Sequence, residues 1–331
     1  MKVTLKHIAE ETGYSISTVS RVLNGTGNIS AEVQKEVVKA AERLNYPFAK
    51  SKIPIYSNGT LHMALVTDFQ EGEFYSSFFH GFSQAAKNAD IQLSLIDVED
   101  HYEELSKTIN QLDQQVIDGI CLFMPQMDQI DYKNLLKETR NTIPIVSNTM
   151  IQSPVVPTVT FDGLSGGHLA AEHFINKGYE SFGIIKGPFE KAESRFRYNG
   201  FKDHLEHLGY TLKLEAEGDF RFRSGVKAFE DFERLEDKPE AIFASNDLML
   251  KGFMEAAKNK GYKIPEDVAL IGFDNTPMCV ESYPKITSIN TDFKALGKET
   301  FKVLRDIISN DHSRNGTLSL VPVSLIERET A

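Results

Sequence analysis

The pattern of apolar and polar positions changes near residue 60. Before it, apolar residues recur at helical spacing; after it, short apolar or β-branched runs alternate with amphipathic stretches. Residues 4–45 predict three short helices. Thr4 is placed to cap the first, over 5–12. Gly13-Tyr14-Ser15 forms a turn, with Gly13 suited to a left-handed backbone and Ser15 placed to cap a second helix over 16–23. Residues 24–28 read as a loop, and Ser30 caps a third helix with Lys39 and Arg43 in its last turn. Leu5, Ile8, Ala9, Val19, Val22, Val37, Ala41 and Leu44 can share one small core. Residues 46–60 contain Pro47, Pro54 and Gly59, show little helical period and read as a linker.

Strands are expected over 61–67, 91–97, 119–124 and 143–147. A second series is expected over 156–161, 181–186, 241–245 and 268–273, and a last strand over 319–326. Helical stretches such as 76–89, 103–116, 164–177, 195–208 and 247–260 separate them. This alternation predicts an α/β fold of parallel sheets with helices on both faces, in two similar lobes with a cleft between them. Ligands of such sheets bind at the carboxyl ends of the strands, so Asn246, Asp247 and Asp274, just past strand ends, are candidates.

A chain of 331 residues suits a small headpiece plus a two-lobed core. No apolar run approaches a membrane span, and the start MKVTLKHIAEE lacks the layout of a signal peptide, so a cytoplasmic protein is expected. Cys121 and Cys279 each sit in an apolar stretch, with no CxxC or His/Cys cluster; two buried thiols, no metal and no cofactor are expected. The net charge of −11 is unevenly spread. Residues 1–60 carry eight Lys/Arg and five Asp/Glu, whereas the remainder carries 28 and 42. A mildly basic head on an acidic body suits contact with DNA through one end.

The segment 4–25, TLKHIAEETGYSISTVSRVLNG, has helix-turn-helix spacing. Ile8, Ala9, Val19 and Val22 would lock two helices together and leave Ser17, Thr18, Ser20 and Arg21 facing outward. A helical hairpin with a solvated polar face would share that layout. The stretch Thr18-Val19-Ser20-Arg21-Val22-Leu23-Asn24 resembles the T-V-S-R-x-L-N hallmark of the LacI/GalR (lac-repressor) family, and the likeness continues through 29–33 and 40–46. That resemblance implies a headpiece over 1–46, a hinge linker over 47–60 and a core over 61–331. Its first lobe would hold about 61–160 and 291–321, its second about 161–290 and 322–331. It also implies a homodimeric regulator, expected to be a repressor of a carbohydrate-use operon, on a near-palindromic double-stranded operator, with Lys6, Ile16, Ser17, Thr18, Ser20, Arg21 and Asn24 touching DNA. Arg21 would read a guanine edge and Ile16 a thymine methyl. Relatives also wedge a hinge-helix Leu into the minor groove; Ile55 falls there, but Pro54 precedes it and disfavours a helix. Without a Leu-heptad tail after 319–326, a dimer is expected.

Along the core, the similarity runs through 162–171, 184–188, 197–201, 218–220, 241–247 and 271–274 and implies a type I periplasmic-binding-protein fold. Residues matching Arg197, Asn246 and Asp274 would bond effector hydroxyls, one matching Phe220 would stack on the ring, and Phe74, Tyr75 and Phe78 would line the site. The effector is expected to be a sugar or sugar phosphate between the lobes. Thr149 stands where relatives often carry an Asp. One competing pattern is Gly163-Leu164-Ser165-Gly166-Gly167, a G-x-S-x-G nucleophile elbow that would pair with Asp274 and His312 in a hydrolase. The polar setting of His312 and the use of glycines at a helix start argue against an enzyme.

Overall fold

The structure, a computed structural model, describes residues 3–26, 29–48, 61–69, 73–98, 103–114, 117–139, 143–310 and 316–331. The hinge with Ile55, and His312, lie outside the described residues.

The headpiece is three helices: α1 (Leu5–Thr12), α2 (Ile16–Leu23) and α3 (Ala31–Arg43). Gly13 ends α1 with φ 75°, returning its N–H to the Ala9 carbonyl. Two residues later Ser15 starts α2, its Oγ accepting the Thr18 N–H at 3.1 Å. Ile8, Val19, Val22, Val37, Val38 and Ala41 are fully buried between the helices, with Leu5 and Leu44 packed against them. Each buried aliphatic side chain contributes about 1.5–3 kcal/mol. Phe48, expected in the linker, also packs on this core.

The core begins with β1 (His62–Thr67), α4 (Glu73–Asn88), β2 (Gln92–Asp97), α5 (Glu103–Gln114), β3 (Gly119–Phe123), α6 (Gln129–Glu138), β4 (Ile145–Ser147) and β5 (Thr158–Phe161). It continues through α7 (Gly163–Asn176), β6 (Phe182–Ile185), α8 (Ala192–His207), β7 (Leu212–Ala216), α9 (Phe222–Arg234), β8 (Ala241–Ala244) and α10 (Asp247–Asn259). β9 (Ala269–Asp274), α11 (Met278–Glu281), β10 (Thr287–Asn290), α12 (Phe293–Asn310), β11 (Leu318–Val321) and β12 (Ser324–Ile326) complete it.

Two six-stranded sheets result, with orders β11-β5-β4-β3-β1-β2 and β7-β6-β8-β9-β10-β12. Counted within each lobe, the order is the same. Central strands such as β1 and β9 are buried along nearly their whole length, as parallel strands covered on both faces must be. β12 runs antiparallel to β10. One unit of the chain, headpiece included, is Met1–Thr149, Ser153–Val159 and Lys294–Ser319. The other is Met150–Gln152, Thr160–Phe293 and Leu320–Ala331. Among the described residues, no helix is long and apolar enough to cross a membrane.

Two expectations are corrected. Residues 156–161 do not open the second sheet: β5 pairs with β4, the Ser147 N–H donating to the Pro157 carbonyl at 2.8 Å. Residues 319–326 are not one strand. Pro322, which has no N–H to donate, falls between β11 of the first sheet and β12 of the second.

Helix pairs in both lobes touch through glycine. In lobe one a Cβ on Gly81 would lie 2.2 Å from the Lys294 carbonyl oxygen, and one on Gly297 2.3 Å from that of Phe78. In lobe two, a Cβ on Gly167 would lie 2.2 Å from the Arg197 carbonyl oxygen, and one on Gly200 2.0 Å from that of Leu164. The second contact matters for the site, because it seats the helix that carries Arg197.

Candidate functional site

In the headpiece, α2 turns its apolar residues inward and its polar ones out. Ile16 is 50% exposed, an unusual place for a large aliphatic residue unless it meets a partner. Lys6, Ser17, Arg21 and Asn24 are exposed, and Thr18 and Ser20 half-buried. The hydroxyls of Ser17 and Thr18 each lie 2.8 Å from Ser15 Oγ, at the positive end of α2. Asn24 Nδ2 donates to Ser20 Oγ at 3.3 Å. The Arg21 guanidinium makes no ion pair among the described residues, whereas Lys6 lies 3.8 Å from Glu10, an exposed pair worth little. Six of these seven side chains therefore occupy one helix and the turn after it, and Lys6 lies on α1.

In lobe two, strand order reverses between β6 and β8, which opens a crevice at their carboxyl ends. Arg197 reaches it from α8. Its Nη1 donates to the Ser245 carbonyl at 2.6 Å, and its Nη2 lies 3.4 Å from Asp274 Oδ1. The guanidinium sits 3.8 Å from the Phe273 ring centroid and 5.7 Å from that of Phe220. Asn246 caps α10 by accepting the Met249 N–H at 2.9 Å, and its Nδ2 donates to the Phe220 carbonyl at 2.9 Å. The edge of the Phe220 ring fills the space over Gly187, where a Cβ would fall 2.3 Å from it.

Phe220 (φ 65°), Asp274 (φ 102°) and Asn275 (φ 52°) all have left-handed backbones, each at a cost of about 1–3 kcal/mol for a residue that is not glycine. Burial pushes the Asp274 carboxyl up to about 7. Arg197 pulls the other way, while Asp247 and Glu193 push further up. Arg197 Nε, Ser194 Oγ and Ser245 Oγ are buried without a hydrogen-bond partner among the described residues. A forked donor, a carboxyl that titrates near neutrality, an aromatic ring and unmet polar atoms together suit a small polar ligand.

The lobe-one candidates form a separate group, where strand order reverses between β1 and β3. Phe74 lies 4.6 Å and Tyr75 5.4 Å from the Phe123 ring, and Phe69 lies 5.5 Å from Tyr75. Burial, with Asp68 adding, pushes the Tyr75 hydroxyl up to about 12. Phe78, expected to face the effector, is instead a core residue: it is 2% exposed and packs on Phe82 beneath the other rings. Thr149 is likewise occupied, donating to the Met124 carbonyl at 2.8 Å and accepting from the Tyr132 hydroxyl at 3.2 Å.

The nucleophile elbow dissolves. Ser165 Oγ donates to Asp162 Oδ2 at 2.6 Å, while Asp162 Oδ1 accepts the Ser165 N–H at 3.0 Å, which makes Asp162 the cap of α7. The glycines serve packing, since a Cβ on Gly166 would fall 2.5 Å from the Phe273 ring. One residue of the site, and the role of another, escape a reading of the sequence alone. Glu193 lies one helical turn before Arg197, and that spacing is a signal that could have found it. Asp247 stands among the candidates just past a strand end, but its role does not show there, because it is 1% exposed and bonded to Thr276 and Ser288, far along the chain.

A helical headpiece with an outward polar helix, joined to two sheets with ligand-type crevices, defines a DNA-binding regulator with a small-molecule sensor. Residues 4–47 match the model for bacterial regulatory proteins of the lacI family, and 171–331 match that for a periplasmic binding protein-like domain. The HTH-type transcriptional repressor PurR of Photobacterium profundum is 26% identical over 327 residues, covering 98% of both chains. That of Mannheimia succiniciproducens is 27% identical with the same coverage. The lac repressor dimer bound to operator and the anti-inducer ONPF superposes with a TM-score of 0.73 at 25% identity, over 100% of this chain and 99% of that one. A complex of the transcriptional regulator CelR with cellobiose gives 0.70 at 25% identity, over 100% of both chains. The chain belongs to the lacI family: it is a DNA-binding transcriptional repressor, not an enzyme, and binds a small-molecule effector.

Proposed function

We propose that this repressor is a homodimer that controls a carbohydrate-use operon, and that a neutral sugar held at the lobe-two strand edge sets its affinity for a near-palindromic operator. The observation that carries this reading is the Arg197 fork between the Ser245 carbonyl and Asp274, beside the Phe220 ring. Adjacent hydroxyls would meet the fork and the carboxyl, and the C–H face of the sugar would meet the ring. Of the two ligands expected, a sugar phosphate fits less well. One guanidinium stands among three carboxyl groups, Asp274, Asp247 and Glu193, and an added dianion would be repelled.

A nucleobase is the second reading. The curated relatives are repressors named PurR, and a flat heteroaromatic ring would suit the aromatic face of Phe220. A thermal-shift screen of the full chain against cellobiose, glucose, glucose 6-phosphate, adenine and hypoxanthine separates the readings, followed by operator release with any compound that shifts the Tm. A response to nucleobases alone sinks the sugar. To shift a mostly DNA-competent population to a mostly incompetent one, the compound must favour one state by roughly 10⁴-fold.

The dimer is supported by the lac repressor dimer among the structural neighbours and by an exposed apolar face at Val280 (54%) and Tyr283 (80%). For DNA, Arg21→Ala should weaken operator binding by about 1–3 kcal/mol and relax preference at one base pair. A selection from random duplexes measures this, and an unchanged preference refutes it.

A further inference from the structure

We propose that Asp247 is the positioning residue of the lobe-two site: its carboxylate clamps the turn 274–276 so that Asp274 faces Arg197. The proposal rests on the reading of Asp274 as an effector contact.

Asp247 opens α10, immediately after Asn246, and is 1% exposed. Its Oδ2 accepts the Thr276 N–H at 2.8 Å and the Thr276 hydroxyl at 3.0 Å. Its Oδ1 accepts the Ser288 hydroxyl at 2.6 Å, and Ser288 Oγ in turn accepts the Asn275 N–H at 3.1 Å. Gly272 makes room for this, since a Cβ there would fall 2.3 Å from Asp247 Oδ1. A buried carboxylate is tolerable only when fully hydrogen-bonded. The donors it collects come from the turn after Asp274, from the neighbouring strand β10 and from the Cys279 thiol on α11.

That turn needs a clamp. Asp274 and Asn275 are consecutive residues with left-handed backbones, and neither is glycine. Arg328 Nη2 donates to Asn275 Oδ1 at 2.7 Å, and Asn275 Nδ2 donates to Asn290 Oδ1 at 2.8 Å, so the far side of the turn is anchored as well. Among the described residues, the Asp247 side is what connects the turn to the segment that carries Ser245 and Asn246. One carboxylate thus joins the two strand ends that supply the Arg197 fork.

The test uses the full chain without ligand, in two readouts. In Asp247→Asn, which keeps the volume but can accept on only one side, the Asn275 and Thr276 amides should exchange with deuterium at least about tenfold faster, the equivalent of one charge-assisted hydrogen bond. Amides of β8 and β9 should keep their protection. The second readout is one that mere structural support would not move. The charged groups facing Asp274 are Arg197, Asp247 and Glu193. Removing the Asp247 charge should therefore lower the pH at which Asp274 titrates, read as the pH at which the Tm of chains with and without Asp274→Asn diverge. If Asp247→Asn does not fold, Ser288→Ala, which leaves the carboxylate in place, supplies the exchange readout. Unchanged exchange at 275–276, or faster exchange throughout lobe two with an unchanged Asp274 titration, overturns the proposal. A wild-type chain whose Tm responds to no sugar or nucleobase overturns the effector reading alone and leaves both readouts to decide the role of Asp247.

Discussion

The carboxyl edges of the two sheets stand on the same strand order and carry different chemistry. In lobe two the edge is polar and directional, with Arg197, Asn246 and Asp274 held by backbone and by one another. In lobe one the edge is a cluster of rings, Phe69, Phe74, Tyr75 and Phe123, with no carboxylate aimed at a guanidinium among its described contacts. Topology supplies a crevice in both; what the crevice can recognise depends on which residues follow the strands. Lobe two can impose orientation and charge preference, and lobe one can impose shape and stacking.

The largest effect should come from the helix contacts beneath the two edges. Gly167→Ala and Gly81→Ala each push a methyl group into a backbone carbonyl, and each should cost about 3 kcal/mol, seen as a drop in Tm. Only Gly167→Ala displaces the backbone of Arg197, so it alone should also shift the Asp274 titration. Equal shifts in both variants would break the contrast between the lobes.

Next is Asp274→Asn, which should weaken effector binding by about 3 kcal/mol, roughly a hundredfold, with operator affinity unchanged. The same variant tests pH. Because the Asp274 carboxyl rises from 3.8 to about 7 on folding, native lobe two keeps a proton that the unfolded chain has released. Wild-type stability relative to the Asn variant should therefore fall as pH rises from 3.8 to about 7, then level off. A flat difference across that window would show that Asp274 is not buried as described.

Phe74→Ala should be milder: it removes ring contacts with Phe123 and Tyr75 and should cost lobe one about 1 kcal/mol, seen as a small drop in Tm. That loss should not vary with pH near neutrality, since the hydroxyl of the neighbouring Tyr75 is held up at about 12. Smallest is Ser165→Ala, which removes one exposed bond to Asp162 and should cost less than about 1 kcal/mol. Loss of an esterase activity in that variant would revive the hydrolase.

Local patterns made much of this legible. The headpiece helices, their caps at Ser15 and Ser30 and the turn at Gly13 follow from residues next to one another, and β1, β3, β8 and β9 are apolar runs. Two strands went unnoticed for physical reasons. β7 alternates exposed Lys213 and Glu215 with buried positions at a sheet edge, and β10 is Thr-Ser-Ile-Asn, polar in composition yet buried because its hydroxyls bond Asp247 and the segment 328–331. Sheet membership is also non-local, so the apolar runs 156–161 and 319–326 carry no local sign of which sheet each part joins or of the break at Pro322. At the site, strand ends point to Asn246, Asp247 and Asp274. The role of Asp247 was invisible because its partners lie 29 and 41 residues away.

The interleaving of the two units has a consequence for synthesis. A ribosome has made every described residue of the headpiece core once Phe48 has emerged. Lobe one, begun at β1, is left open until α12 and β11 arrive, and lobe two awaits β12 after that. Domains fold as units in the order they emerge. A nascent chain therefore carries a finished DNA reader for most of its translation while neither half of its sensor is closed, and a chain cut before α12 would keep that reader with no complete lobe to govern it.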